Sequence, residues 1–197
     1  MRRSLGKPHP QVVGVDDGAF DRRDRYAPLA AVIVTLPEHV ESVRTGRVRV
    51  DGTDGTRRVA ALVRGLGALD GVRAVLLDGA VVGGFNVLDL KALHRELGLP
   101  IVAVTRRAPE FARIRAALRK WFPRSAAARW ALLRAHRLFP VPTEGLPILA
   151  AAVGCSRADA VRLVQRATVR GHWPEPVRLA HLVASAGRQQ RPRVPKD

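Results

Sequence analysis

Two apolar runs that stop at Asp-Gly constrain this 197-residue chain more than any other feature. Gln11-Val-Val-Gly-Val15 meets Asp16-Asp17-Gly18, and Arg73-Ala-Val-Leu-Leu77 meets Asp78-Gly79. Short, nearly continuous apolar runs of this kind belong to strands buried on both faces, so helices must cover the sheet on each side. The Asp-Gly pair then turns the chain out of the strand. Taken singly, each Asp-Gly is an ordinary turn. Taken together, they place carboxylates at the ends of two core strands.

The rest of the chain supplies the other layers. Leu29 to Thr35, closed by Pro37, reads as a second strand and Val40 to Val50 as a third, with short links that predict an antiparallel meander. Asp51 to Thr56 is a loop dense in turn formers, and Thr56 is expected to cap the helix carrying Val59, Leu62, Val63 and Leu66. Asn86 or Val87 to Leu97 is read as a helix closed by Gly98, with Asn86 as a candidate N-cap. Pro100 to Val104 is a strand, and Pro109 to Trp121 a helix with Phe111, Ile114, Leu118 and Trp121 expected in the core. Residues 125–186 read as mostly helical, in the pieces Ser125–Leu138, Leu146–Val153, Ser156–Val169 and Pro174–Ala186. The fold class expected is α/β, a five-stranded mixed sheet flanked by helices, with extra C-terminal helices. One domain over 12–186 is expected, between flexible basic tails at 1–11 and 187–197.

Charge narrows the partner. Lys and Arg outnumber Asp and Glu by 34 to 17, a formal net charge of +17. Residues 106–137 hold ten Lys/Arg and one acid, Glu110. Such a surface suits a polyanion, most simply nucleic acid. Thirty of the basic residues are Arg, a skew that genome composition also produces. Cys155 is the single cysteine, so neither an intramolecular disulfide nor a Cys-based zinc site is available. The longest apolar runs, Leu29–Leu36 and Leu146–Cys155, fall short of the ~18–20 residues of a membrane span. No membrane association and a cytoplasmic setting are therefore expected.

Acids are scarce, so their placement carries information. If the strands ending at Asp16 and Asp78 are parallel neighbours, both carboxylates lie at the carboxyl edge, where ligands bind in α/β sheets. Clustered carboxylates repel unless a cation binds, and hard oxygen ligands suit Mg²⁺ or Mn²⁺. Asp51 and Asp54, in the loop after the third strand, are candidates for a third carboxylate. Acids that hold metal beside arginines that hold phosphates are what phosphodiester cleavage requires. Elsewhere, bland assignments prevail: His181 is expected as a packed, hydrogen-bonded core histidine, Trp173 as a core anchor and Cys155 as a packing residue.

At this point the motifs resemble a known family. Val13-Gly-Val-Asp16-Asp-Gly-Ala-Phe20 looks like the first motif of endonuclease V, and Ala74-Val-Leu-Leu-Asp78-Gly79 with Gly98-Leu-Pro-Ile-Val-Ala-Val-Thr-Arg106 looks like its central block. A closer resemblance is to an archaeal family, domain of unknown function 99, related to endonuclease V. Gly14–Gly18, Val50–Asp54, Leu77–Gly79, Gly83–Asp89, Leu99–Val102 and Pro174–His181 carry it. The resemblance implies a ribonuclease H-like fold and Mg²⁺-dependent cleavage of DNA or RNA near deaminated bases. It implies Asp16 and Asp78 as metal ligands, Asp54 and then Asp51 as the third acid, and Glu175 as the last. Arg106 stands where endonuclease V has a phosphate-contacting or catalytic lysine. The family's Pro-Tyr wedge has no counterpart, since Tyr26 is the single tyrosine. Arg106, Arg107, Arg113, Arg119 and Lys120 are the candidate nucleic-acid contacts. Two other readings stand beside the nuclease: a nucleic-acid-binding protein that keeps the fold without the chemistry, and an unrelated phosphohydrolase of small nucleotides.

Overall fold

The computed structural model describes residues 9–21, 23–67 and 69–189, with side chains to residue 186. Strands β1 (Gln11–Asp17), β2 (Tyr26–Thr35) and β3 (His39–Arg49) form the expected antiparallel meander. Helix α1 (Gly55–Arg64) follows, then β4 (Val72–Asp78) and a two-stranded hairpin, β5 (Val81–Val82) with β6 (Asn86–Val87). Next come α2 (Leu90–Leu97), β7 (Ile101–Thr105), α3 (Phe111–Trp121) and α4 (Ala126–Arg134). Strands β8 (Phe139–Val141) and β9 (Ile148–Val153) and helices α5 (Arg157–Ala167) and α6 (Glu175–Gln189) complete the chain. The main sheet runs β3-β2-β1-β4-β7-β9-β8, with β1, β4 and β7 parallel.

The sheet has seven strands where five were expected. The two additional strands are β8, which pairs with β9, and β9 itself, Ile148–Val153, which lies antiparallel to β7 in place of the helix expected over Leu146–Val153. Three consecutive alanines favour a helix intrinsically. A short apolar run carries no usable period, however, and the open edge of β7 offers a hydrogen-bond ladder that local propensity does not see.

Side-chain alternation divides the core in two. Val13, Val15, Val75 and Leu77 face α1 and α2. Val12, Ala74, Leu76, Val102 and Val104 face the other way, with Ala160 and Leu163 of α5 and Val177 and Ala180 of α6. The C-terminal helices are thus the second covering layer of the sheet. Strand β3 is an edge and is largely exposed, and its Arg44, Arg47 and Arg49 discourage further pairing. Among the described residues no helix is long and apolar enough to cross a membrane.

Several local expectations are corrected. Trp121 is 64% exposed, and only Leu118 of the four apolar α3 positions is fully buried, because α3 packs on α4 and does not lie flat on the sheet. Thr56 does not cap α1; its hydroxyl accepts from the Asp89 N–H, and Asp89 caps α2 through the Ala92 N–H. His9 and Pro10 bond to Leu36, so the sheet's hydrogen bonding begins inside the segment read as a tail. Residues 1–8 and 190–197, the remainder of the tails, lie outside the described residues.

Asn86 is fully buried and clamps three segments. Its Oδ1 accepts from the Gly55 N–H, while its Nδ2 donates to the Arg49 carbonyl and to Asp54 Oδ1. Asn86→Ala is expected to cost about 2–3 kcal/mol, because the buried Gly55 donor is stranded away from water and the bonds to Arg49 and Asp54 are lost. A denaturant melt reads this directly, and a cost under about 1 kcal/mol would contradict the clamp.

Candidate active site

Register and alternation build the site. Val15 pairs with Leu77 in the parallel β1–β4 ladder, so Asp16 and Asp78 are the next neighbours along it. Neighbouring strands lie about 4.8 Å apart. By alternation both carboxylates point to the α5–α6 face, at the carboxyl end of the parallel strands. Asp16 is only 3% exposed.

Two glycines bring α6 down onto this edge. A Cβ on Gly14 would lie 2.0 Å from the Pro176 carbonyl oxygen, and one on Gly18 would lie 2.4 Å from that of Ala184. No other residue type allows so close a helix–strand approach. Between these two contacts α6 carries His181, whose Nδ1 is hydrogen-bonded to Asp16 Oδ2 at 2.9 Å. The His181 side chain is 55% exposed, so it is a half-open member of the site and not the packed core histidine expected. Its pairing with Asp16 spans 165 residues of sequence, and no local signal announces it.

Electrostatics mark the centre. Burial first, then the charges of Asp78 and Asp17, push the Asp16 carboxyl up to about 9. Asp78 is raised by burial and by Asp17, against the lowering effect of Arg106 and His181. Asp17 is also raised, chiefly by burial, and its Oδ2 accepts from the Gly83 N–H at 2.7 Å. Asp17 follows Asp16 directly, so alternation turns it to the opposite face. Sequence reasoning treated the two as one strand end and missed that division.

Arg106 follows β7, whose Val104 pairs with Asp78. Its guanidinium stacks 4.0 Å over the ring of Trp173, which is buried as expected. The arginine is thus held beside Asp78 without a carboxylate bond.

The other predicted acids stand elsewhere. Asp54 is engaged by Asn86, by Arg58 and by the Arg49 N–H; burial raises its pKa, but those bonds outweigh it and the net shift is downward. Asp51, at φ +55°, accepts from the Phe85 N–H. Glu175 is paired with Arg178 in the first turn of α6, about 9 Å along the axis from His181 at 1.5 Å per residue. Arg107, Arg113, Arg119 and Lys120 are all exposed on or before α3; Arg113 pairs with Glu110, and the Lys120 ammonium lies 4.8 Å from the Trp121 ring centre. Burial raises the Cys155 thiol to about 11, in keeping with a packing role.

Among the described residues no three His, Cys, Asp or Glu side chains form a ready-made metal cluster. The donor set at Asp16 and Asp78 still fits a hard divalent ion. Such ions are bound by one or two carboxylates and complete their shell with water and substrate phosphate oxygens.

Comparison with known proteins agrees with this architecture. The family model for Endonuclease dU matches residues 8–187. A UPF0215 protein of Thermococcus gammatolerans is 38% identical over 184 residues, covering 91% of this chain and 93% of that protein. The crystal structure of an Archaeoglobus fulgidus protein of unknown function superposes with a TM-score of 0.80 at 29% identity, over 90% of this chain and 97% of that one. Ciona intestinalis endonuclease V, solved in complex with a 24mer DNA containing an inosine, superposes with a TM-score of 0.59 at 14% identity, over 88% and 83% of the two chains. The fold is therefore ribonuclease H-like, a mixed sheet flanked by helices, as the motif resemblance implied. With the match running through nearly every element described above, this chain belongs to the Endonuclease dU family.

Proposed function

We propose that this protein is a divalent-metal-dependent nuclease that cleaves a phosphodiester bond in DNA or RNA near a deaminated base, with Asp16 and Asp78 at its centre. One observation carries the reading. Two carboxylates, the buried Asp16 and the half-buried Asp78, stand on neighbouring strands at the parallel edge, each raised by burial, and Asp16 further by the charge of Asp78. Folding gains nothing from that arrangement, and a bound cation relieves it. The family match and the DNA-bound Ciona endonuclease V of like fold support nucleic acid as the partner.

Asp16 and Asp78 would hold Mg²⁺ or Mn²⁺, which when bound activates water and stabilises the leaving oxygen. His181 holds Asp16 Oδ2 and is read as a positioning residue. Arg106, fixed against Trp173, directs a cation toward the phosphate beside Asp78. Arg107, Arg113, Arg119 and Lys120 would track the flanking strand. Asp54 and Glu175 are committed to Asn86, Arg58 and Arg178, so they are left out of the proposed ligand set.

The test is cleavage of deoxyuridine-, inosine- and undamaged DNA and RNA with Mg²⁺ or Mn²⁺, against EDTA. Strand scission with metal alone is expected, and scission equally fast in EDTA would sink the proposal. Salt-sensitive binding without turnover would favour the non-catalytic alternative. Independently, metal at a hundredfold its Kd is expected to stabilise the fold by about 2.7 kcal/mol, a rise of roughly 5–10 °C in Tm. That rise should vanish in Asp16→Asn and Asp78→Asn, and its persistence there would place the ion elsewhere.

A further inference from the structure

A second charged feature lies on the opposite face of the sheet, outside the acidic centre. Arg49, Arg57, Arg58 and Arg129 line a cleft of about 350 Å³ at the start of α1, together with two acids, Asp51 and Asp54. Hydrogen bonds from two buried side chains tie down its walls. Arg129 is 6% exposed and donates to the carbonyls of Asp51 and Phe85 and to Ser125 Oγ, so it braces the loop from behind. Asn86 braces it from below.

The charge arrangement runs against what a free helix end prefers. The N-terminus of α1 carries the positive end of the helix dipole, where acids stabilise and bases do not. Asp54 stands at the N-cap, but the first turn of α1 itself holds no acid, and Arg57 and Arg58 stand there instead. Arg58 is paired with Asp54, but among the described residues neither Arg49 nor Arg57 makes a salt bridge. The Tyr26 phenol, bonded to Arg49 and close to Arg25, is held below its ordinary pKa, which reports the same positive field. Asp54 answers Arg58 and Asp51 accepts from the Phe85 N–H, so four guanidiniums face two carboxylates, and an anion beside Arg49 and Arg57 would offset the remaining positive charge.

We infer that this cleft is a phosphate-binding site, in which Arg49 and Arg57 grip a backbone phosphate of the nucleic acid strand whose scission occurs at Asp16 and Asp78. The inference rests on the nuclease reading for the source of its phosphate, while the site itself rests on the cleft. The two places are connected. The Asp51 N–H donates to the Gly83 carbonyl, and the Gly83 N–H donates to Asp17, so the cleft's rim hangs from the end of β1. A phosphate gripped here would fix the strand's register relative to the acidic centre. Thr53 and the Tyr26 hydroxyl add neutral donors beside the guanidiniums.

The experiment is binding of a deoxyuridine-containing duplex and single strand in EDTA, where no cleavage occurs, as a function of salt. The variants are Arg49→Ala/Arg57→Ala and, as a charge-matched control, the exposed α5 pair Arg157→Ala/Arg162→Ala. The double variant should lose on the order of tenfold in affinity at low salt, with a slope of log K against log salt shallower by about 0.9 for one phosphate. Arg157→Ala/Arg162→Ala should keep the wild-type slope. Circular dichroism melts establish that each variant is folded. An unchanged slope in the double variant overturns the site, and so does an equal loss in the control. If the wild type binds no nucleic acid, inorganic phosphate separates the two ideas. A phosphate-dependent rise in Tm that disappears in the double variant keeps the site and defeats the nuclease reading. The absence of both defeats the site.

Discussion

Asp78→Asn is expected to abolish cleavage while making the metal-free protein more stable at neutral pH. Opposite signs on activity and stability are the signature of charge stored for function. Asp16 is buried and its carboxyl is pushed up to about 9 by burial, then by Asp78 and Asp17. An unfolded Asp releases its proton near 3.9, so between about pH 4 and pH 9 the unfolded chain binds fewer protons than the folded one. The slope of stability with pH is then negative: this contribution is full below about pH 4 and is lost as pH rises toward 9. Removing the Asp78 charge lowers the cost of ionising Asp16 and flattens the slope. A gain of about 1–3 kcal/mol at pH 8, shrinking toward pH 5, is expected in metal-free melts. Turnover should fall on the order of 10³-fold or more, because the lost carboxylate takes with it several kcal/mol of transition-state stabilisation. Stability that rises from pH 5 to pH 8 in the wild type, or cleavage within tenfold of wild type in the variant, would contradict the site. Asp16→Asn should behave alike, since Asn keeps the acceptor for the Asp17 N–H and offers a donor to His181.

Gly14→Val is expected to be the most damaging single change to the fold. Even the first carbon of a side chain would lie 2.0 Å from the Pro176 carbonyl oxygen and 2.8 Å from the Pro176 Cβ. Both are parts of α6 that cannot rotate aside, so the helix must move off β1. Overpacking of this kind costs about 3 kcal/mol or more. Gly14→Ala should cost less but in the same direction. Since the same contact brings His181 to Asp16, surviving Gly14→Ala protein should also cleave poorly. Gly67→Ala is the control. Gly67 has φ +88° but nothing within 4 Å of the added carbon, so backbone strain of about 1 kcal/mol is all that is expected. Equal losses in Gly14→Ala and Gly67→Ala would show that conformational preference, and not the seating of α6, sets the cost.

What was legible from the residues follows from how local each signal is. Val12–Val15 and Ala74–Leu77 are strands because apolar side chains on both faces exclude water from both faces. Asp16 and Asp78 end them because the chain turns there, and both facts sit within six residues of sequence. The helix over Arg157–Ala167 was equally plain, since Ser156 accepts from the Asp159 N–H as an N-cap should. The alanine run over Ile148–Val153 was not legible. Its state depends on the open edge of β7, which lies far away in sequence.

The sequence by itself determined that two core strands end in carboxylates, within a basic chain built as an α/β sheet covered on both faces. Tertiary structure alone decided which groups meet those carboxylates. Alternation sends Asp16 to α6 and Asp17 to Gly83, although they are adjacent residues. Gly14 and Gly18 lower α6 until His181 reaches Asp16. Asn86 and Arg58 claim Asp54, and Arg178 claims Glu175, so acids that matched by position stand committed to structural bonds. Runs and turns are settled by each residue's few neighbours in the chain. Meetings between side chains are settled by register and helix seating, which only the packed molecule sums.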